Sequence, residues 1–175
     1  MRKVILYIAV SLDHYIARKN GAVDWLENAV EHLKDEDYGY KTFYDSIDTT
    51  LIGRKTFDEI LGFDVPFPYP DKINYVITSD GTFEHEYALG IHKNTFDFIK
   101  KLKQEAGKDI WLVGGGQLVT SFAAKGLIDE MILTVFPILL GEGIPLFLPF
   151  QKESSFKLKE SKSYTNGIIQ LHYQK

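Results

Sequence analysis

Residues 110–122 have the sequence IWLVGGGQLVTSF, and this stretch decides the fold because it joins two kinds of periodicity. Ile110 to Val113 is a continuous apolar run of strand length, whereas the residues after Gly116 have helical spacing. The glycines at 114–116 permit a tight turn and the close approach of a ligand to the main chain. A helix that begins there presents free backbone N–H groups and partial positive charge, which favour a phosphate. The alternative is a strand-to-helix turn that binds no ligand.

A second junction of this kind lies at residues 51–56, LIGRKT, where an apolar run ends at Gly53 and a helical pattern follows. Arg54 offers a planar donor fork and Thr56 a hydroxyl, both suited to phosphate, and Lys55 offers a point charge for a 2′-phosphate. Open α/β sheets bind ligands at the carboxyl ends of their strands, so the two glycine junctions together favour a dinucleotide. The alternative is a helix start with solvated basic residues. Neither junction is a Walker A motif or a Rossmann fingerprint.

Composition limits the class of protein. The chain has 175 residues, 45% hydrophobic and 25% charged, which predicts one domain over residues 1–175. No apolar run approaches the roughly 20 residues of a membrane span, and no secretory leader pattern is present, so we expect a cytoplasmic protein without a membrane partner. The net charge of −4 argues against nucleic-acid binding. A chain without cysteine and without helical His-x-x-x-His spacing is not expected to hold a metal.

The hydrophobic pattern predicts alternating strands and helices followed by an antiparallel edge. Strands are predicted at residues 3–10, 49–52, 73–78, 90–92, 110–113, 130–135, 156–164 and 167–173. Helices are predicted at residues 24–33, 40–47, 54–61, 95–106 and 115–125. Asn166-Gly167 between the last two strands is a strong hairpin signal. This order predicts a three-layer α/β/α sandwich with a mixed, mainly parallel central sheet and an antiparallel C-terminal hairpin.

Motifs spread over nearly the whole chain carry a family resemblance. They are Ser11-Leu12-Asp13, Ile16-Ala17, Asn20-Gly21, Trp25, Gly53-Arg54-Lys55-Thr56, Val76-Ile77-Thr78-Ser79, Val113-Gly114-Gly115-Gly116 and Leu133-Thr134. Their order resembles that of the dihydrofolate reductase superfamily. Residues 136–147, FPILLGEGIPLF, further resemble the reductase domain of bifunctional riboflavin-biosynthesis enzymes.

The resemblance implies a dihydrofolate reductase-like fold with NADPH lying across the carboxyl edge of the sheet. It implies that Ala9 and Ile16 face the nicotinamide, through backbone groups that recognise its carboxamide. It implies that Thr78 and Ser79 reach the adenosine end. The implied phosphate contacts are Gly53, Arg54, Lys55 and Thr56 at one junction and Gly114, Gly115, Gly116, Gln117 and Leu118 at the other.

Two carboxylates are candidates for catalysis. In dihydrofolate reductases a buried carboxylate on the helix before the second strand holds the pterin ring, and counting back from Gly53 places Asp37 near that position. The alternative is that Asp37 belongs to a solvated acidic patch. Asp24 directly precedes Trp25, where the folate enzymes would have proline. His14 stands where related sequences usually have glycine.

The leading hypothesis is an NADPH-dependent reductase of the riboflavin-reductase type that acts on a small heterocyclic substrate. The resemblance suggests 5-amino-6-(5-phosphoribosylamino)uracil, and dihydrofolate reduction is the second possibility. A non-catalytic NADPH-binding module is the alternative of another class. No His-x-Glu with Pro-Cys-x-x-Cys is present, so the sequence excludes zinc-dependent deamination by this chain. The apolar segment at residues 136–148 is expected to be either core or the face of a homodimer.

Overall fold

The computed structural model describes residues 1–26 and 36–175, in which strands and helices alternate. The strands are β1 Val4–Val10, β2 Tyr15–Ala17, β3 Ile47–Gly53, β4 Ile73–Ile77, β5 Leu89–Ile91, β6 Asp109–Gly114, β7 Glu130–Val135, β8 Ile144–Pro145, β9 Lys157–Ser163 and β10 Ile169–Gln174. The helices are α1 Tyr40–Ser46, α2 Arg54–Leu61, α3 Thr95–Leu102 and α4 Gly116–Ala124. Residues 24–26 are also helical, and the rest of the helix predicted at 24–33 lies outside the described residues.

Eight strands form one mixed sheet in the order β5-β4-β3-β6-β1-β7-β10-β9. Every pairing from β5 to β7 is parallel, and β10 pairs antiparallel with both β7 and β9. The mainly parallel sheet and the antiparallel C-terminal hairpin are therefore confirmed. Because the strands from β5 to β7 run the same way, their carboxyl ends share one edge of the sheet, which is where such sheets bind ligands.

Hydrophobic clusters lie on both faces of the sheet. Successive residues of a strand point to opposite faces, and β6 shows this directly: Leu112 packs in a cluster with Phe122 of α4, whereas Trp111 packs in a second cluster with Phe57 of α2. The two helices that begin at the glycine junctions therefore cover opposite faces. This arrangement confirms the three-layer prediction.

A third cluster closes one face near the carboxyl edge. It contains Trp25, Tyr38, Phe136 and Ile168, all buried, with Ala9 of β1 packed against it. Its edge-to-face aromatic contacts include Trp25 with Phe136, whose ring centroids lie 5.6 Å apart. We call this group the aromatic cluster.

The segment at 136–148 is divided between core and surface. Phe136 and Leu146 are buried, the latter only 1% exposed, whereas Leu139 is 71% exposed. Leu12 donates its N–H to the Ile138 carbonyl and Leu146 donates to that of His14, so the segment is tied to the loop after β1. It is core at its two ends and exposes an apolar side chain between them.

Two details differ from the sequence prediction. The short strands β2 and β8 were not predicted, because each is too short for periodicity to reveal it and depends on the other for its hydrogen bonds. Helix α3 ends at Leu102 instead of Ala106. There the buried Lys103 turns toward Asp129, with 2.6 Å between Nζ and Oδ2, and its carbonyl accepts the Arg2 N–H. These long-range contacts stop the helix early.

Candidate functional site

The two glycine junctions lie side by side at the carboxyl edge of the sheet. Ile52 of β3 pairs in register with Gly114 of β6, and α2 and α4 begin within two residues of these positions. A Cβ placed on Gly53 would lie 3.2 Å from the Gly114 carbonyl oxygen, and one on Gly115 would lie 3.1 Å from Thr56 Oγ1. A larger residue at either position would force its neighbour to move by a few tenths of an ångström, so glycine favours the close approach of the two helix N-termini.

The backbone at the second junction has a conformation that favours glycine. The φ angles are +144° at Gly114 and +93° at Gly115, and α4 starts at Gly116. In the described part of the chain, no side chain caps the N-terminus of α2 or of α4. The first-turn N–H groups of both helices are thus available to an anion, and both helix dipoles favour negative charge there. We call this pair of N-termini the phosphate cradle.

Arg54 supplies fixed positive charge beside the phosphate cradle. Its Nε lies 2.9 Å from both carboxylate oxygens of Asp58, and one terminal nitrogen lies 3.4 Å from Asp80 Oδ2. The guanidinium also lies 4.9 Å from the centre of the Phe83 ring. The side chain is still 39% exposed, so it is oriented but accessible to a ligand. Its neighbour Lys55 is exposed.

Thr78 and Ser79 follow β4, the strand next to β3, and therefore lie at the same edge as Arg54. The Thr78 N–H donates to the Ile91 carbonyl, and its hydroxyl accepts the Asp80 N–H at 3.0 Å. Hydrogen bonds from the Thr82 hydroxyl and N–H hold the pKa of Asp80 below its usual range. The hydrogen bond and the positive charge of Arg54 lower this pKa further. Asp80 is accordingly ionised at neutral pH.

Ala9 and Ile16 approach this edge from different sides. Ala9 pairs with Thr134 of β7 and packs against the aromatic cluster, whereas Ile16 on β2 packs against the cluster beneath α4. Strand β8, the partner of β2, contacts the second junction, because a Cβ on Gly116 would lie 2.5 Å from the Pro145 carbonyl oxygen. The β2–β8 pair therefore links the loop after β1 to the phosphate cradle. The nicotinamide contact of both residues remains a prediction.

The structure corrects the buried position implied for Asp37. Its carboxylate is exposed, and it accepts the N–H of Gly39 at 2.8 Å and that of Lys41 at 3.0 Å, at the start of α1. The bonds from Lys41 and Gly39 lower the pKa of Asp37. Asp37 lies outside the core because it precedes α1, where its carboxylate accepts the N–H of Lys41 in the first turn and that of Gly39 just before the helix.

Asp24 is also held in its ionised form. Arg18 donates to both of its oxygens, at 2.7 and 2.9 Å, in a half-exposed ion pair, and this lowers the pKa of Asp24. A carboxylate whose pKa is lowered is a poor proton donor near neutral pH. Neither predicted catalytic residue thus has the environment of a general acid, and their catalytic role remains untested.

Comparison with known proteins places the chain in a family. Residues 73–170 match the RibD C-terminal domain. The chain belongs to this family. It is 42% identical over 173 residues to the uncharacterized protein YwjB of Bacillus subtilis strain 168, and the alignment covers 98% of this chain and 97% of YwjB.

Two solved structures resemble this chain over almost its full length. A protein of Shewanella sp. PV-4, assigned by inference to riboflavin biosynthesis, matches with a TM-score of 0.89 and 32% identity over 98% of both chains. A dihydrofolate reductase of Enterococcus faecalis in complex with NADP(H) and RAB-propyl matches with a TM-score of 0.68 and 17% identity, covering 98% of this chain and 95% of that one. These matches confirm the dihydrofolate reductase-like fold.

Two kinds of feature are absent from residues 1–26 and 36–175. None of the helices there is long and apolar enough to cross a membrane. No group of three or more histidine, aspartate or glutamate side chains in those ranges could hold a metal ion.

Substitution of Asp37 distinguishes a role in capping α1 from a role in catalysis. Asn has one acceptor oxygen and keeps one of the two bonds that Asp37 accepts, so we expect Asp37→Asn to lower the melting temperature only slightly and to keep the rate of substrate reduction near wild type. Asp37→Ala is expected to lose about 1 kcal/mol of stability. Thermal melts and initial rates measure both effects. A rate loss of about a hundredfold or more in Asp37→Asn would show catalysis instead.

The pH dependence of stability gives a second readout at Asp37. Its folded pKa lies below the unfolded value of about 3.9, so its contribution is complete above that pH and is lost as the pH falls through the folded pKa. We expect this loss in the wild type and its absence in Asp37→Asn, measured by melts on either side of that window.

Sequence reasoning missed two features of the site. Asp80 is not singled out in the sequence analysis, although its place directly after Thr78-Ser79 is a signal that it lies at the same edge of the sheet. Tyr7 was interpreted only as part of an apolar strand, yet its hydroxyl donates to the Tyr38 carbonyl at 3.0 Å and burial raises its pKa to about 12. Tyr7 thus keeps its proton at neutral pH, and its ring stacks on Phe43 at a centroid distance of 4.4 Å.

Proposed function

We propose that this chain is an oxidoreductase that uses NADPH to reduce a small heterocyclic substrate. One observation carries the proposal: two uncapped helix N-termini meet at Gly53 and Gly115, with Arg54 beside them. A single phosphate needs only one helix N-terminus. Two N-termini and a guanidinium match a ligand with several phosphates, which is the chemistry of a dinucleotide.

The residues present fit NADPH. The first-turn N–H groups of α2 and α4 would hold the pyrophosphate, assisted by the Thr56 hydroxyl. Arg54 and Ser79 would contact the phosphate on the adenosine ribose, with Lys55 contributing charge. Ala9 and Ile16 would orient the carboxamide through backbone groups. When bound, NADPH supplies a hydride, and the task of the chain is to position the nicotinamide and exclude water.

Membership of the RibD C-terminal domain family supports a substrate related to riboflavin biosynthesis. We propose 5-amino-6-(5-phosphoribosylamino)uracil. The fold shared with a dihydrofolate reductase in complex with NADP(H) supports the cofactor, and it keeps dihydrofolate as the second candidate substrate.

The substrate is tested by incubating the intact protein with NADPH and each candidate separately, and following the loss of near-ultraviolet absorbance of NADPH. We expect oxidation with the pyrimidine and slower or no oxidation with dihydrofolate. The reverse order would replace the substrate proposal with the folate alternative. NADPH binding without oxidation by either compound would favour the non-catalytic module.

We further propose that residues 1–175 form one domain, that the protein works in the cytoplasm, and that it forms a homodimer. The exposed Leu139 and the half-exposed Ile169 offer apolar contacts for a second copy. Sedimentation velocity is expected to show a dimer, and a monomer across the working concentration range would remove that part of the proposal.

A further inference from the structure

Asp80 places a carboxylate where the proposed function needs a phosphate. Its Oδ1 accepts the Thr82 N–H at 2.9 Å and the Thr82 hydroxyl at 2.7 Å, so the side chain is fixed in orientation. Its Oδ2 faces Arg54, at the longer distance of 3.4 Å. One oxygen is therefore anchored, and the other has only a weak contact with the guanidinium and is available to a ligand.

Two carboxylates, those of Asp58 and Asp80, lie against the single positive charge of Arg54. Asp58 occupies Nε with both oxygens, and Asp80 lies beside one terminal nitrogen. Within residues 1–26 and 36–175, the other terminal nitrogen makes no hydrogen bond to protein. A phosphate that binds Arg54 through its terminal nitrogens must consequently approach the Asp80 carboxylate.

The two forms of the ribose meet this carboxylate differently. A 2′-hydroxyl can donate a hydrogen bond to Oδ2, as it does to the acidic residue of dinucleotide folds that select NADH. A 2′-phosphate carries negative charge and is repelled by the same oxygen, while it is attracted by Arg54. The two residues thus act in opposite directions on the choice of cofactor.

We infer that Asp80 is a specificity-determining residue that lowers the preference of the site for a 2′-phosphate over a 2′-hydroxyl on the adenosine ribose. The inference rests on the proposed function, because it concerns the adenosine end of the same dinucleotide site. It assigns to this chain a tolerance for NADH that Arg54 alone would not give.

The test is calorimetric titration of NADPH and NADH into the wild type, Asp80→Asn and Asp45→Asn. Asn keeps the acceptor for Thr82 and removes the charge. We expect the ratio of the NADH to the NADPH dissociation constant to rise about fivefold in Asp80→Asn, since one like-charge contact in water is worth about 1 kcal/mol. The rise is expected to shrink at high salt.

Asp45→Asn is the matched control. Asp45 is an exposed carboxylate paired with Lys41, and it lies just before β3 at the opposite edge of the sheet. It is expected to leave the ratio unchanged. An unchanged or lower ratio in Asp80→Asn, with NADPH still bound by the wild type, overturns the inference alone. A wild type that binds neither nucleotide overturns the proposed function instead.

Discussion

Arg54→Ala is expected to weaken NADPH binding by about tenfold or more and to change NADH binding far less. A hydrogen bond to a charged group contributes about 1.5–3 kcal/mol, and 1.4 kcal/mol corresponds to about a factor of ten in affinity. Because Arg54 is placed at the adenosine end, the lost charge matters most for the nucleotide with the extra phosphate. Titration calorimetry with both nucleotides measures the two affinities.

The control for Arg54→Ala is Lys108→Ala. Lys108 is also exposed and positively charged, but it precedes β6 and donates to the Asp45 carbonyl at the opposite edge of the sheet. Its removal is expected to leave both affinities unchanged. Equal weakening of NADPH and NADH by Arg54→Ala would refute the placement of this side chain at the 2′-phosphate.

Gly115→Ala is expected to damage the phosphate cradle itself. At φ +93° and ψ 117°, an alanine is strained, and its Cβ would also lie 3.1 Å from Thr56 Oγ1. Backbone strain of this kind costs about 1–3 kcal/mol. The melting temperature should fall by several degrees, and NADPH affinity should fall by about tenfold or more, because the two helix N-termini are displaced.

Gly141→Ala separates strain from contact. Gly141 also has a positive φ, +74°, but a Cβ there meets no atom within 4 Å. We expect a loss of about 1–2 kcal/mol in stability and no change in NADPH affinity. If the two alanine variants lost the same affinity, close contact between the junctions would not be what holds the phosphates.

The fold and the cradle could be predicted because their signals are local. A run of apolar residues that ends in Gly114-Gly115-Gly116, and another that ends at Gly53, are visible in a window of a few residues. The rule that parallel strands place their carboxyl ends together then brings these windows to one edge. The side-by-side pairing of β3 and β6 required the structure.

The remaining features depend on contacts between distant residues. The capping role of Asp37 follows from where α1 begins, and counting back from Gly53 could not locate that point. Asp80 gained its meaning from the position of Arg54, which is 26 residues away in sequence and lies within hydrogen-bonding distance in space. Strands β2 and β8 form only through each other. Long-range contacts of this kind leave almost no local pattern.

Calorimetric titration of NADPH into the intact wild-type protein tests the central claim most directly. We expect saturable binding of one NADPH per chain with a dissociation constant in the micromolar range, which corresponds to a binding free energy of about −8 kcal/mol. The dissociation constant is expected to rise with salt, because the phosphates are held partly by charge. A titration without saturable heat, confirmed by the absence of any NADPH-induced rise in melting temperature, would contradict the dinucleotide site at the two glycine junctions.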